Sequence, residues 1–208
     1  MTTEKRGVIL GLTGPTGAGK SVVAARLSAA GIPVVDTDGL AREVTAAGHP
    51  CLLQLAEAFS PAILREDGTL DRAALASRAF ASPEATARLN AITHPHIFAL
   101  TEKRLAAFWK QGIPMAAVDA PVLFESGMDR MCDRTVAVLA PSAVRLERIC
   151  ARDNISEAQA QARMSAQPDD GFYEERADDL LYNEGDLAAF EETVTAWITR
   201  LREETTYA

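Results

Sequence analysis

An α/β fold, with helices covering both faces of a parallel sheet, is predicted by three features of the chain. Short, continuous apolar segments alternate with helical patterns. A Gly-rich turn joins the first apolar segment to the first helix. Carboxylates gather where the apolar segments end. Unbroken apolar strands separated by helices mark a parallel sheet buried on both sides. Ligands of such sheets sit beyond the carboxyl ends of the strands, so the polar residues there are the candidate site.

The first strand is Val8 to Thr13, apolar and closed by the Gly-rich turn. A helix runs from Lys20 to about Ala30, with Val22, Val23, Ala25 and Leu27 apolar, and Gly31 stops it. Ile32-Pro33-Val34-Val35 is a second strand that ends at Asp36-Thr37-Asp38. Met115 to Val118 is a third, ending at Asp119, and Thr135 to Leu139 is a fourth, ending before Pro141. Leu180-Leu181-Tyr182 is a weaker fifth, ending at Asn183. Two helical stretches interrupt the alternation, at about 40–110 and 141–178. Ser82-Pro83-Glu84 has the form of a helix start, and Ser156 with Gln159 that of a capping box. The expected organisation is therefore a core of residues 1–39, 111–140 and 179–208, a helical insert at 40–110, and a second helical insert, a lid, at 141–178.

Composition narrows the class. The chain has 208 residues, 48% of them apolar, and a net charge of −8. This is a globular composition, long enough for a sizeable core, and it lacks the basic excess of a duplex-nucleic-acid binder. No apolar run approaches the roughly 18 residues that span a bilayer, and the N-terminus has no signal-peptide pattern. Cys51, Cys132 and Cys150 are an odd number without Cys-x-x-Cys spacing. They read as reduced, mostly buried thiols of a cytoplasmic protein. A monomer or weak homo-oligomer with no nucleic-acid or membrane partner is expected.

Gly14-Pro15-Thr16-Gly17-Ala18-Gly19-Lys20-Ser21 fits G-x-x-x-x-G-K-[ST] between a predicted strand and a predicted helix, which is the context that motif requires. Glycine lets the backbone curl so that successive N–H groups face phosphate oxygens, and the helix N-terminus adds positive potential. Lys20 reaches the β- and γ-phosphates, and the Ser21 hydroxyl suits Mg²⁺. The alternative is a Gly-rich turn that binds nothing, against which spacing, residue types and context agree. The fold class is thus a P-loop NTPase core. The nucleotide is ATP or GTP with Mg²⁺, and the lack of an Asn-Lys-x-Asp tetrapeptide weighs against a GTPase.

The acids at the strand ends follow from that core. Asp38 is placed to take the proton of an attacking hydroxyl, or to open a helix as its N-cap; the two roles are compatible. Asp36 supports it by hydrogen bonds or water-mediated Mg²⁺ contact. Asp119 resembles a Walker B carboxylate that binds Mg²⁺ directly or through water, and otherwise caps a strand. Glu125 is either a ligand or solvated. Arg145, Arg148 and Arg152, at i, i+3 and i+7, share one helix face. They either approach a transferring phosphoryl group or form a solvated face with Glu147 and Asp153. Arg163 and Gln167 could face inward or outward. His94, before Pro95, is a candidate base or a structural histidine where a helix stops. No His/Cys/carboxylate spacing suggests a transition-metal site.

The ordered set of motifs resembles the dephospho-coenzyme A kinase family from about Val8 to Asn183. The resemblance rests on Gly11 to Gly14 with Gly17 to Ser21, Val35-Asp36-Thr37-Asp38, Asp67-Gly68-Thr69-Leu70 and Leu89 to Pro95. It continues through Asp119 to Glu125, Arg152-Asp153-Asn154, Arg163 to Gln167, and Ala177-Asp178-Asp179 with Asn183. Departures are Pro15 where the family usually has Gly, Val22 where it has Thr, and Arg176 where a lysine is common. The resemblance implies transfer of the γ-phosphoryl of ATP to the ribose 3′-hydroxyl of dephospho-coenzyme A. It implies Asp38, Lys20 and Arg152 as catalytic residues. Gly14, Gly17, Ala18, Gly19, Lys20, Ser21, Val22 and Asn183 would hold ATP, and Asp36, His94, Asp119 and Arg163 would line the substrate. Mg²⁺ would rest on Ser21 and Asp119, and the 40–110 insert would carry the coenzyme A substrate. A kinase for another small acceptor and a nucleotide-dependent switch with no acceptor are the competing readings.

Overall fold

The computed structural model describes residues 6–206. Its sheet has five strands: β1 (Val8–Thr13), β2 (Val34–Asp36), β3 (Met115–Asp119), β4 (Arg134–Leu139) and β5 (Asp179–Tyr182), in the order β2-β3-β1-β4-β5. β1 pairs in parallel with β3 and β4, and β4 with β5. β1 therefore lies at the centre, with Ile9, Leu10 and Leu12 buried, as its continuous apolar run predicts. The predicted second strand begins two residues late. Ile32 instead closes the turn after helix α1 (Lys20–Ala29), its N–H on the Leu27 carbonyl. Pro33 lacks an N–H, but its carbonyl accepts from Ala117 at 2.8 Å.

The chain divides into two compact units, one of residues 1–35 with 107–208 and one of 36–106. In the first unit, α1 and α9 (Leu187–Thr206) share one apolar core with the sheet. Val23 and Leu27 from α1 join Phe190, Val194, Trp197 and Leu201 from α9. The same unit carries α6 (Ser142–Asp153), α7 (Glu157–Ser165) and the short α8 (Asp170–Glu174). The capping box of Ser156 and Gln159 opens α7 as predicted. Of the cysteines, Cys51 alone is fully buried; Cys132 and Cys150 are half-buried. Burial still pushes the Cys132 thiol up to about 12, which keeps it protonated and inert.

The second unit is helical: α2 (Thr37–Val44), α3 (Pro50–Phe59), α4 (Arg72–Ala79) and most of α5 (Pro83–Lys110). Leu52, Leu55, Ile63, Leu75 and Ala79 form its own core. Asp67-Gly68-Thr69 is a tight turn. The Asp67 carboxylate accepts from the Thr69 N–H at 2.9 Å and its hydroxyl at 2.6 Å, and Leu64 bridges Leu70 across it. His94 and Pro95 lie inside α5, so His94 does not stop a helix. Pro95 removes one helical N–H, yet the helix continues on both sides of it.

At the far end of the sheet Asp179, 9% exposed, is the hub that ties α9 to β4 and β5. It accepts from Arg134 Nε at 2.6 Å, Trp197 Nε1 at 3.0 Å and Arg200 at 3.2 Å. Burial alone would raise its pKa. The Arg134 and Trp197 hydrogen bonds, with the charges of Arg134 and Arg200, outweigh burial and hold it below the usual value. A depressed carboxyl contributes stability that is fully present above the unfolded value, about 3.9. That stability fades as pH falls through the lower folded value. Asp179→Asn should therefore lower the thermal midpoint at neutral pH, by about 2–3 kcal/mol of stability, and the gap to wild type should narrow below about pH 4. Melting curves across that range check this; a constant gap would show that the carboxylate's charge is not what stabilises.

Candidate active site

The Gly-rich turn between β1 and α1 is shaped by positive φ angles and by bonds from outside. Gly14 has φ 136° and Gly19 φ 104°. A Cβ on Gly14 would stand 2.2 Å from the Val138 carbonyl oxygen, and one on Gly19 would stand 2.4 Å from Asn183 Nδ2. No other residue fits at either position.

The backbone carbonyls of the turn point outward and are held one by one. Thr16 O accepts from Arg145 Nε at 3.0 Å, Gly17 O from Arg148 at 3.3 Å, and Ala18 O from Asn183 Nδ2 at 2.9 Å. Arg148 also reaches Asn183 Oδ1 at 3.0 Å. In a trans peptide the next N–H points opposite to the carbonyl, so the Gly17 and Gly19 N–H groups face the concave side. Ala18 N–H closes the turn on Pro15 O at 3.2 Å. The α1 N-terminus, where Lys20 and the exposed Ser21 sit, adds the positive end of a helix. The result is an anion cradle.

The arginine stripe is buried at one end and solvated at the other. Arg145 is 4% exposed, and Asp170 pairs with it at 3.2 Å. Burial lowers its pKa and Asp170 opposes that shift. Arg152 is exposed; it bonds Asp153 at 2.7 and 2.9 Å and reaches Thr16 Oγ1 at 3.5 Å. Arg163 shares Asp153 with it. Gln167 turns inward, its Oε1 accepting from Thr16 N–H at 2.8 Å. The helical period of the arginines showed that they share a face, and the structure identifies its target as the phosphate loop. Asn183 is 2% exposed and grips the loop from behind. Val22 is half-buried against the apolar core.

Asp119 ends β3 in register with Leu12 of β1, beside the strand that leads into the loop. A carboxylate here and a hydroxyl at Ser21 suit a hard cation that keeps water and phosphate ligands. No cluster of three or more His, Cys, Asp or Glu side chains that could cage a metal occurs among the described residues. The donor set therefore fits Mg²⁺ brought with a nucleotide better than a dedicated metal centre. Glu125 is exposed. In the helical unit, Asp36 is the N-cap of α2, accepting from Asp38 N–H at 2.9 Å. The cap is thus Asp36 and not Asp38, whose own carboxylate is left exposed in the first turn. His94 stacks edge-on with Phe98 at 6.2 Å, and burial lowers its pKa, favouring the neutral imidazole.

A phosphate loop on the central strand of a five-stranded parallel sheet, clamped by a basic helix, defines a P-loop nucleotide-binding protein. The sequence model of the dephospho-CoA kinase family matches residues 8–189. A dephospho-CoA kinase of Moorella thermoacetica is 45% identical over 190 residues, covering 90% of this chain and 89% of that one. One from Anaeromyxobacter dehalogenans is 44% identical over 177 residues, covering 85% and 84%. The crystal structure of TT1252 from Thermus thermophilus superposes with a TM-score of 0.81 at 34% identity, over 95% of this chain and 99% of that one. The chain belongs to the dephospho-CoA kinase family.

The two ends of the arginine stripe should behave differently on truncation. Arg145→Ala leaves the Thr16 carbonyl without its donor and opens a cavity, for an expected loss of about 2–4 kcal/mol. Arg152→Ala, at an exposed position, should stay within about 0.5 kcal/mol of wild type. Urea denaturation of both variants checks this, and equal losses would contradict the burial difference.

Proposed function

We infer that this chain transfers the γ-phosphoryl group of ATP to the ribose 3′-hydroxyl of dephospho-coenzyme A, giving coenzyme A and ADP, the last step of coenzyme A biosynthesis. The observation that carries the reading is the clamped phosphate loop in a member of this family. In the proposed reaction the 3′-oxygen forms a bond to the γ-phosphorus as the bond to the β,γ-bridging oxygen breaks. The hydroxyl proton passes to Asp38, and ADP leaves. Asp38 suits the base role because Asp36 has taken the capping position and leaves the Asp38 carboxylate exposed. Lys20 and the inward N–H groups neutralise charge on the β- and γ-oxygens.

Arg152 is the mobile cation of this reading. Its bonds to Asp153 are exposed and worth little, so they are readily exchanged for phosphate oxygens when residues 141–178 close as a lid. Ser21 and Asp119 would hold Mg²⁺, which supplies charge neutralisation on the phosphates when bound. Asp36, His94 and Arg163 would line the acceptor side, with 40–110 as the coenzyme A insert. Asn183 and Val22 would border the nucleotide. Free thiols at all three cysteines suit a reducing, cytoplasmic compartment.

Asp38→Asn should lower kcat by about 10²-fold or more with ATP binding retained. Arg152→Ala should slow turnover more than it weakens ATP binding. A coupled ADP-release assay over a panel of alcohol acceptors, with nucleotide binding by calorimetry, tests both. A sample that binds ATP, leaves dephospho-coenzyme A untouched and phosphorylates another acceptor would refute the assignment.

A further inference from the structure

The geometry points to Gln167 as a positioning residue for phosphoryl transfer, acting through the Pro15–Thr16 peptide at the entrance of the phosphate loop. This deepens the kinase reading and rests on it. Thr16 is the one loop residue held at three points by the segment that follows β4. Its carbonyl is held by Arg145 at 3.0 Å, its hydroxyl by Arg152 at 3.5 Å, and its N–H by Gln167 at 2.8 Å. The carbonyl bond fixes the peptide after Thr16; the Gln167 bond fixes the peptide before it.

That preceding peptide matters because its other end is Pro15 O. Trans geometry sends Pro15 O away from Gln167, and there it accepts from Ala18 N–H at 3.2 Å. This bond closes the curl that lets Gly17 and Gly19 present their N–H groups. Without Gln167 the Pro15–Thr16 plane keeps only the bond from Ala18 N–H to Pro15 O, because Pro15 has no N–H of its own to anchor the entry. Gln167 stands just beyond α7, whose C-cap is Ala166. A shift of α7 is therefore transmitted to the loop through one hydrogen bond. Lys20 reaches the β- and γ-phosphates from the far side of the loop, so a loosened entrance disturbs alignment of the transferring group more than binding of a diphosphate.

Full-length Gln167→Met removes the acceptor with little change of shape, and Gln167→Glu keeps it. Amide exchange at Thr16 and Ala18 by NMR, without nucleotide, reads the bond directly. Turnover of dephospho-coenzyme A and affinity for ADP read its effect. In the Met variant, Thr16 protection should fall about tenfold or more and kcat about tenfold or more, with ADP affinity within about threefold of wild type. The Glu variant should recover Thr16 protection and most of the turnover. Unchanged Thr16 exchange or unchanged kcat in the Met variant overturns the inference. So do equal losses of kcat and ADP affinity, or a Glu variant that regains protection without turnover. If the wild-type chain leaves dephospho-coenzyme A untouched, the kinase reading fails by itself, while Thr16 exchange in the Met variant still decides whether Gln167 holds the loop.

Discussion

Converging N–H dipoles repel one another when no anion lies between them, and the phosphate loop must keep that arrangement before its ligand arrives. The surrounding fold opposes the repulsion from outside. Arg145, Arg148 and Asn183 each take one outward carbonyl, at residues 16, 17 and 18. Hydrogen bonds from the charged donors Arg145 and Arg148 contribute about 1.5–3 kcal/mol each and the neutral Asn183 amide about 0.5–1.5 kcal/mol, enough to hold a turn that also demands positive φ at Gly14 and Gly19. The cationic side chains bind the backs of the peptides and so orient the fronts. Their charge adds positive potential near the cradle in a chain whose net charge is −8.

The same stripe divides its labour by burial. Arg145 is enclosed and paired with Asp170, so moving it would expose unsatisfied groups. Arg152 is 59% exposed along its side chain and shares Asp153 with Arg163. An exposed ion pair has little net energy, and exchanging one carboxylate for a phosphate costs little. A single helix, α6, thus has an enclosed end that shapes the loop and an exposed end held only by an ion pair. The seven-residue spacing between them is about two helical turns along one face.

Much of this was legible in the sequence because it depends on local pattern. Continuous apolar runs mark the five strands along the chain, and the motif spacing marks the loop between β1 and α1. The misses fall where a distant partner decides. Arg145 and Thr16 are 129 positions apart and Gln167 and Thr16 are 151 apart, and no periodicity shows which of several polar surfaces a helix face meets. The choice of cap at the end of β2 turned on a competition between Asp36 and Asp38 two positions apart, settled by which carboxylate reaches a free N–H. Proline after His94 makes a helix stop one of the two readings of that histidine, but the apolar positions Leu89, Ile92, Ile97 and Leu100 pack on one core and carry α5 past Pro95.

The resemblance marks Pro15 in the loop and Val22 in the first turn of α1 as departures from the family pattern. Pro15 fixes its own φ near −65° and narrows the conformations of the unfolded loop, while its carbonyl still accepts from Ala18 N–H. Val22 packs against the core of α1 and α9. Pro15 thus trades a backbone N–H for rigidity. A loop with fewer donors of its own relies more on bonds supplied from elsewhere, and that dependence gives the outward carbonyl clamps, and the single Gln167 bond at the loop entrance, their weight in this chain.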